Sequence, residues 1–114
     1  RRSMLVLLTD LVDHAIEESL LPALPLITRT HLVILGGVRD PQVEAWASGV
    51  AQDDGLDAEA AAYRQAAAVQ ALADRRRTVA RLRGMGVTVV DAAPARFATE
   101  LADAYLYAKS RGRL

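Results

Sequence analysis

A hydroxyl and two carboxylates, Thr9, Asp10 and Asp13, follow directly on the apolar run Met4 to Leu8. A carboxylate beside a hydroxyl at such a place suits a hard cation such as Mg²⁺, which keeps several waters and takes oxygen donors. Two further acids stand in comparable positions. Asp40 follows the apolar run His31 to Val38, and Asp91 follows Gly86 to Val90. Three apolar runs therefore end in an acid, the pattern of a polar or cation-binding rim. The plainer account is that Thr9 and Asp10 are turn residues, and that Asp13 and Asp40 cap helices.

Other reactive residue types fall in patterns without a chemical signature. His14 and His31 are the only histidines, and they do not share a metal-ligand spacing such as His-x-x-x-His. No nucleophile elbow, phosphate-binding loop or dinucleotide fingerprint is present. Arg75, Arg76 and Arg77 are consecutive, so on a helix they cannot all face one ligand. They read as a solvated face that complements the helix dipole. Trp46, Tyr63, Tyr105 and Tyr107 are spread among helical segments and read as packing residues.

Composition narrows the classes. The chain has 114 residues, 52% of them hydrophobic and 25% charged, with 14 basic and 14 acidic side chains. That is one globular domain, residues 1–114, and its neutral balance argues against nucleic acid as a partner. With no Cys, disulfide scaffolds and thiol chemistry are excluded. No apolar run approaches the roughly 18 residues of a membrane span. A first residue of Arg and an apolar run by Met4 suggest a piece of a longer protein.

The elements that must position the acids follow from periodicity. Ser3 to Thr9, His31 to Val38 and Gly86 to Asp91 read as strands, the first two as continuous apolar runs buried on both faces. Asp13 to about Leu21 reads as a helix, interrupted by Pro22 and Pro25 and followed by a second turn or helix. Asp40-Pro41 opens a short helix to about Ser48, and Gly49 to Gly55 is a loop. Asp57 to Arg83 is the longest element, with Val69, Leu72, Val79 and Leu82 on its buried face. Pro94 opens a last helix to Ser110, with Phe97, Leu101 and Tyr105 joined by Ala104 and Ala108 on the inner side and Gly112 ending it. Strands alternating with helices specify an α/β fold, a Rossmann-like parallel sheet of three strands with helices on both faces.

Six pieces, in order, resemble a known family: Leu7 to Asp13, Arg29 to Leu35, Arg39 to Pro41, Ala62 to Ala68, Leu82 to Asp91, and Tyr105 to Leu114 with its Arg-Gly-Arg-Leu ending. Together they resemble the C-terminal part of the DUF58 family, whose members contain a von Willebrand factor A-like domain. The resemblance implies a three-layer half-domain, strands four to six of an A-like sheet ordered 3-2-1-4-5-6. It implies a protein-interaction module whose parent works with a MoxR-type AAA+ ATPase. The parent would be anchored in the membrane upstream, with this domain cytoplasmic. A-type domains bind partners through a metal site built from an Asp-x-Ser-x-Ser motif, a loop Thr and a late Asp. Thr9-Asp10 matches only that late element, with Leu11 where Gly is common. Asp10 is then the one metal residue expected, with Thr9 as its neighbour, in an incomplete site. No cofactor is expected in this chain, and Mg²⁺ only in the full-length protein. The competing class is a metal-dependent hydrolase or phosphotransferase using the rim of Asp10, Asp40 and Asp91. A first strand deprived of its neighbour is also expected to make the chain a homodimer.

Overall fold

The computed structural model describes residues 3–9, 16–50 and 55–112. Three strands, β1 (Ser3–Leu8), β2 (His31–Val38) and β3 (Thr88–Ala92), form one sheet in the order β1-β2-β3. Both pairings are parallel, with Val6 beside Ile34 and Leu35 beside Val89. Between β1 and β2 lie a π-helical turn (Ile16–Leu20) and a short helix α1 (Leu24–Ile27). The prolines expected to break this stretch do so, since Pro25 sits in the first turn of α1 and cannot continue the turn before it.

Helices α2 (Pro41–Ala47), α3 (Ala58–Gly84) and α4 (Pro94–Ser110) complete the chain. Local chemistry sets their boundaries. The Asp40 carboxylate accepts from the Gln42 N–H at 2.9 Å, and Asp57 accepts from the Ala60 N–H at 2.8 Å. Each satisfies an N–H that a helix start leaves without an intrahelical partner. Gly86, at φ 85°, and Gly112, at φ 70°, turn the chain after α3 and α4 through a conformation that suits glycine.

The sheet is covered on both faces, an α/β/α arrangement. Val33 and Leu35 of β2 and Val89 of β3 point to the face where Leu24, Val79 and Leu82 pack from α1 and α3. On the other face α4 lies against β3 and part of β2. Gly36 permits that approach, because a Cβ there would stand 2.7 Å from Phe97 Cζ and 3.0 Å from Leu8 Cδ2. A side chain at this position would force the Phe97 ring to shift.

Two expectations fail. The first strand is not buried on both faces. Leu7 packs against the core cluster, but Val6 is 37% and Leu8 71% exposed. α4 lies mainly against β3 and part of β2, and leaves most of Leu8 exposed. The inner face of the long helix is also shorter than its periodicity suggests. Leu82 and Val79 are buried, Leu72 is half-buried and Val69 is exposed. A helix of 27 residues is about 40 Å long, whereas β2, with 8 residues, is about 26 Å. The first half of α3 therefore projects beyond the sheet, and α2 packs on this helix.

Candidate functional site: a charged cleft at the carboxyl ends of β2 and β3

Open α/β sheets bind ligands beyond the carboxyl ends of their strands. Here that edge carries a cleft of about 320 Å³ lined by Arg39, Glu44, Leu72, Arg75, Arg76 and Asp91. Arg39 leaves the end of β2, and its backbone N–H donates to the Ala92 carbonyl at 2.8 Å, which fixes it beside β3. Asp40 and Pro41 then turn the chain into α2, and that short helix presents Glu44 to Arg39, Nε to Oε1 3.2 Å.

Asp91 lies within β3 rather than after it, on the same face as Val87 and Val89. Its carboxylate meets α3, where Arg75 donates from Nε to Oδ1 at 2.9 Å and its terminal Nη2 forms an ion pair with the same oxygen. The Arg75 and Asp91 side chains are only 16% and 14% exposed, so this pair is shielded from water. The Arg39 and Glu44 side chains, at 41% and 42%, are more open. Pairs of the second kind contribute about 0–1 kcal/mol, whereas breaking a shielded pair strands a charge.

The Arg75 side chain corrects the expectation of a solvated arginine face. Arg76 and Arg77 are exposed, and Arg77 pairs with Asp74 on its own helix. Arg75 turns inward. The signal was in the spacing, since Arg75 lies four residues before Val79 and seven before Leu82, on their side of the helix. What the residue types alone do not reveal is that an acid within β3 stands opposite.

The other candidates are dispersed. Thr9 ends β1, its backbone N–H donating to the Gly36 carbonyl at 2.9 Å. Asp10, with Asp13 and His14, lies outside the described residues. Asp40 is occupied as a helix cap, and Asp91 by Arg75. His31 begins β2, at the opposite end of the strand from the cleft. Among the described residues no group of three His, Cys, Asp or Glu converges on a point that could hold a metal ion. Thr9 with Asp10 falls short of the oxygen donors a divalent cation needs. Of the aromatic residues expected to pack, Trp46 is half-buried with the Arg64 guanidinium 5.0 Å from its ring centroid, whereas Tyr63 and Tyr107 are exposed.

The cleft can thus offer guanidinium donors and carboxylate acceptors in alternation, with Arg76 as an additional positive charge at its mouth. That is a surface for polar recognition. No helix among the described residues is long and apolar enough to cross a membrane. No family model, curated protein or solved structure matches the chain.

Proposed function

We propose that the chain is the C-terminal part of a von Willebrand factor A-like protein-interaction module, and that its parent engages a MoxR-type AAA+ ATPase. The observation that carries this reading is the state of the acids at the rim. A hydrolase built on Asp10, Asp40 and Asp91 needs carboxylates free to bind metal or water. Asp40 is spent on the Gln42 N–H and Asp91 on Arg75. What remains is a salt-linked surface, the kind of charged patch that steers and orients a protein partner. The sheet order β1-β2-β3 agrees with strands four to six of the A-like sheet named by the resemblance. In this reading the domain is cytoplasmic and its parent is held at the membrane by an upstream segment. Mg²⁺ would bind only where the parent supplies the remaining donors beside Asp10.

Titrating the chain with a purified MoxR-type ATPase tests the reading. Binding is expected in the micromolar range, and Arg76→Glu is expected to weaken it about tenfold, about 1.4 kcal/mol. Absence of binding, together with Mg²⁺-dependent phosphatase activity that Asp91→Asn abolishes, would replace this reading with the hydrolase.

A further inference from the structure

Three guanidinium groups and two carboxylates line the cleft at the carboxyl ends of β2 and β3, an excess of one positive charge, with Leu72 as the apolar wall. All six lining residues lie between positions 39 and 91, and none belongs to β1. The positive groups differ in how they are occupied. Arg75 donates from Nε to Asp91. Arg39 Nε stands 3.2 Å from Glu44 Oε1, an ion pair in which neither atom makes a hydrogen bond. Both atoms are shut off from water, where polar groups are ordinarily hydrogen-bonded. Arg76 is exposed and meets no acid among the described residues. A guanidinium carries five N–H donors in a rigid fork. Arg39 and Arg76 spend none of theirs on hydrogen bonds among the described residues, so two forks at one cleft are left to an outside acceptor.

We infer that this cleft receives the carboxylate of an acidic side chain, Glu or Asp, projected by a protein partner. The inference rests on the reading of the chain as an interaction module, whichever protein the partner is. A guanidinium fork and a carboxylate match as planar, bidentate partners. One negative charge balances the excess of one. A phosphate would bring about two charges against Glu44 and Asp91, which line the same space.

Size and lining favour a partner's side chain over a free metabolite. The volume, about 320 Å³, is at the small end of ligand pockets, and those are lined mainly by apolar side chains. A free metabolite would find little apolar surface to bury here. A side chain on a partner brings its remaining contact area from outside the cleft. Glu44 already holds Arg39 without a hydrogen bond, and an incoming carboxylate competes with it for the same guanidinium. Neutralising Glu44 therefore strengthens binding, although it removes a contact of the free protein.

The test follows the Arg Nε–H signals of the isotope-labelled chain by nuclear magnetic resonance, with a blocked peptide carrying two Glu residues as the probe. The Arg39 and Arg76 signals are expected to shift on titration, and the same peptide with Gln in place of Glu is expected to leave them unmoved. Arg76→Ala is expected to weaken peptide binding about fivefold and Glu44→Gln to tighten it about threefold, the size of one charge pair at an exposed position. Arg77→Ala is expected to change nothing, since Arg77 is exposed on the same helix but does not line the cleft. Equal binding of the Gln peptide, an equal loss with Arg77→Ala, or weaker binding with Glu44→Gln would each overturn the proposal. Free glutarate binding more tightly than the peptide would also overturn it, making this a metabolite site. The ATPase reading fails separately. A MoxR-type ATPase that binds the chain equally well with and without Arg76→Ala and Glu44→Gln overturns this inference and leaves that reading standing. A Glu peptide that behaves as expected while the ATPase does not bind supports this inference and removes that reading.

Discussion

β1 carries Met-Leu-Val-Leu-Leu and β2 carries Leu-Val-Ile-Leu, both uncharged runs of residues that favour strands. Ile34 and Leu35 of β2 are completely buried, whereas Leu8 of β1 keeps 71% of its surface. Composition does not separate them; neighbours do. β2 has a strand on each side, α1 and α3 on one face and α4 on the other. Among the described residues β1 has one strand neighbour, and Leu7 is the β1 residue that packs against the core cluster. An apolar run thus identifies a strand, but how much of it is buried depends on elements elsewhere in the chain.

The largest expected effect comes from the covered strand. Leu35→Ala empties a fully buried site between α3 and the sheet, and should destabilise by about 2–5 kcal/mol. Urea unfolding followed by circular dichroism measures it. A loss below about 1 kcal/mol would mean that the site collapses readily and that β2 is no better packed than β1.

The same contrast between shielded and open positions divides the ion pairs of the cleft. Asp91→Asn leaves the Arg75 guanidinium without its counter-charge at a site where little water reaches it, and should cost about 1–3 kcal/mol. Glu44→Gln breaks a pair whose side chains are more open to water, and should cost less than about 1 kcal/mol. A double-mutant cycle on Arg75 and Asp91 checks this. A coupling energy near zero would reduce the pair to a crossing of two solvated chains and remove the reason given for excluding Asp91 from metal chemistry.

Much of this was legible in the residues, and the exceptions share a cause. Asp40-Pro41, Asp57 and the glycines after α3 and α4 act through neighbours in sequence, so the helix ends follow from local chemistry. The order of strands and helices follows from periodicity. Val69, Arg75 and Val6 depend on what lies across from them. Val69 fits the helical stripe of Val79 and Leu82, yet the sheet is too short to reach it. Arg75 fits the same stripe, but only the fold shows that Asp91 meets it there. Val6 has the character of a core strand residue but stays 37% exposed, because α4 packs mainly on β3 and part of β2. The acids of the rim were legible as capping residues in one case, Asp40, and only the tertiary pairing with Arg75 decides the other.

The smallest effect belongs to the open strand. Leu8→Thr keeps a residue that favours strands and removes an apolar side chain that is already largely in water. Its stability cost should stay within about 0.5 kcal/mol, the usual range for surface positions. The measurement belongs at concentrations low enough to keep copies apart, where burial by a second chain adds nothing. Thr in place of Leu35, by contrast, would bury a hydroxyl in an apolar cluster as well as shrink the side chain. If Leu8→Thr costs more than about 2 kcal/mol in the dilute chain, Leu8 is covered by its own molecule. The two strands would then be alike in environment as well as in sequence.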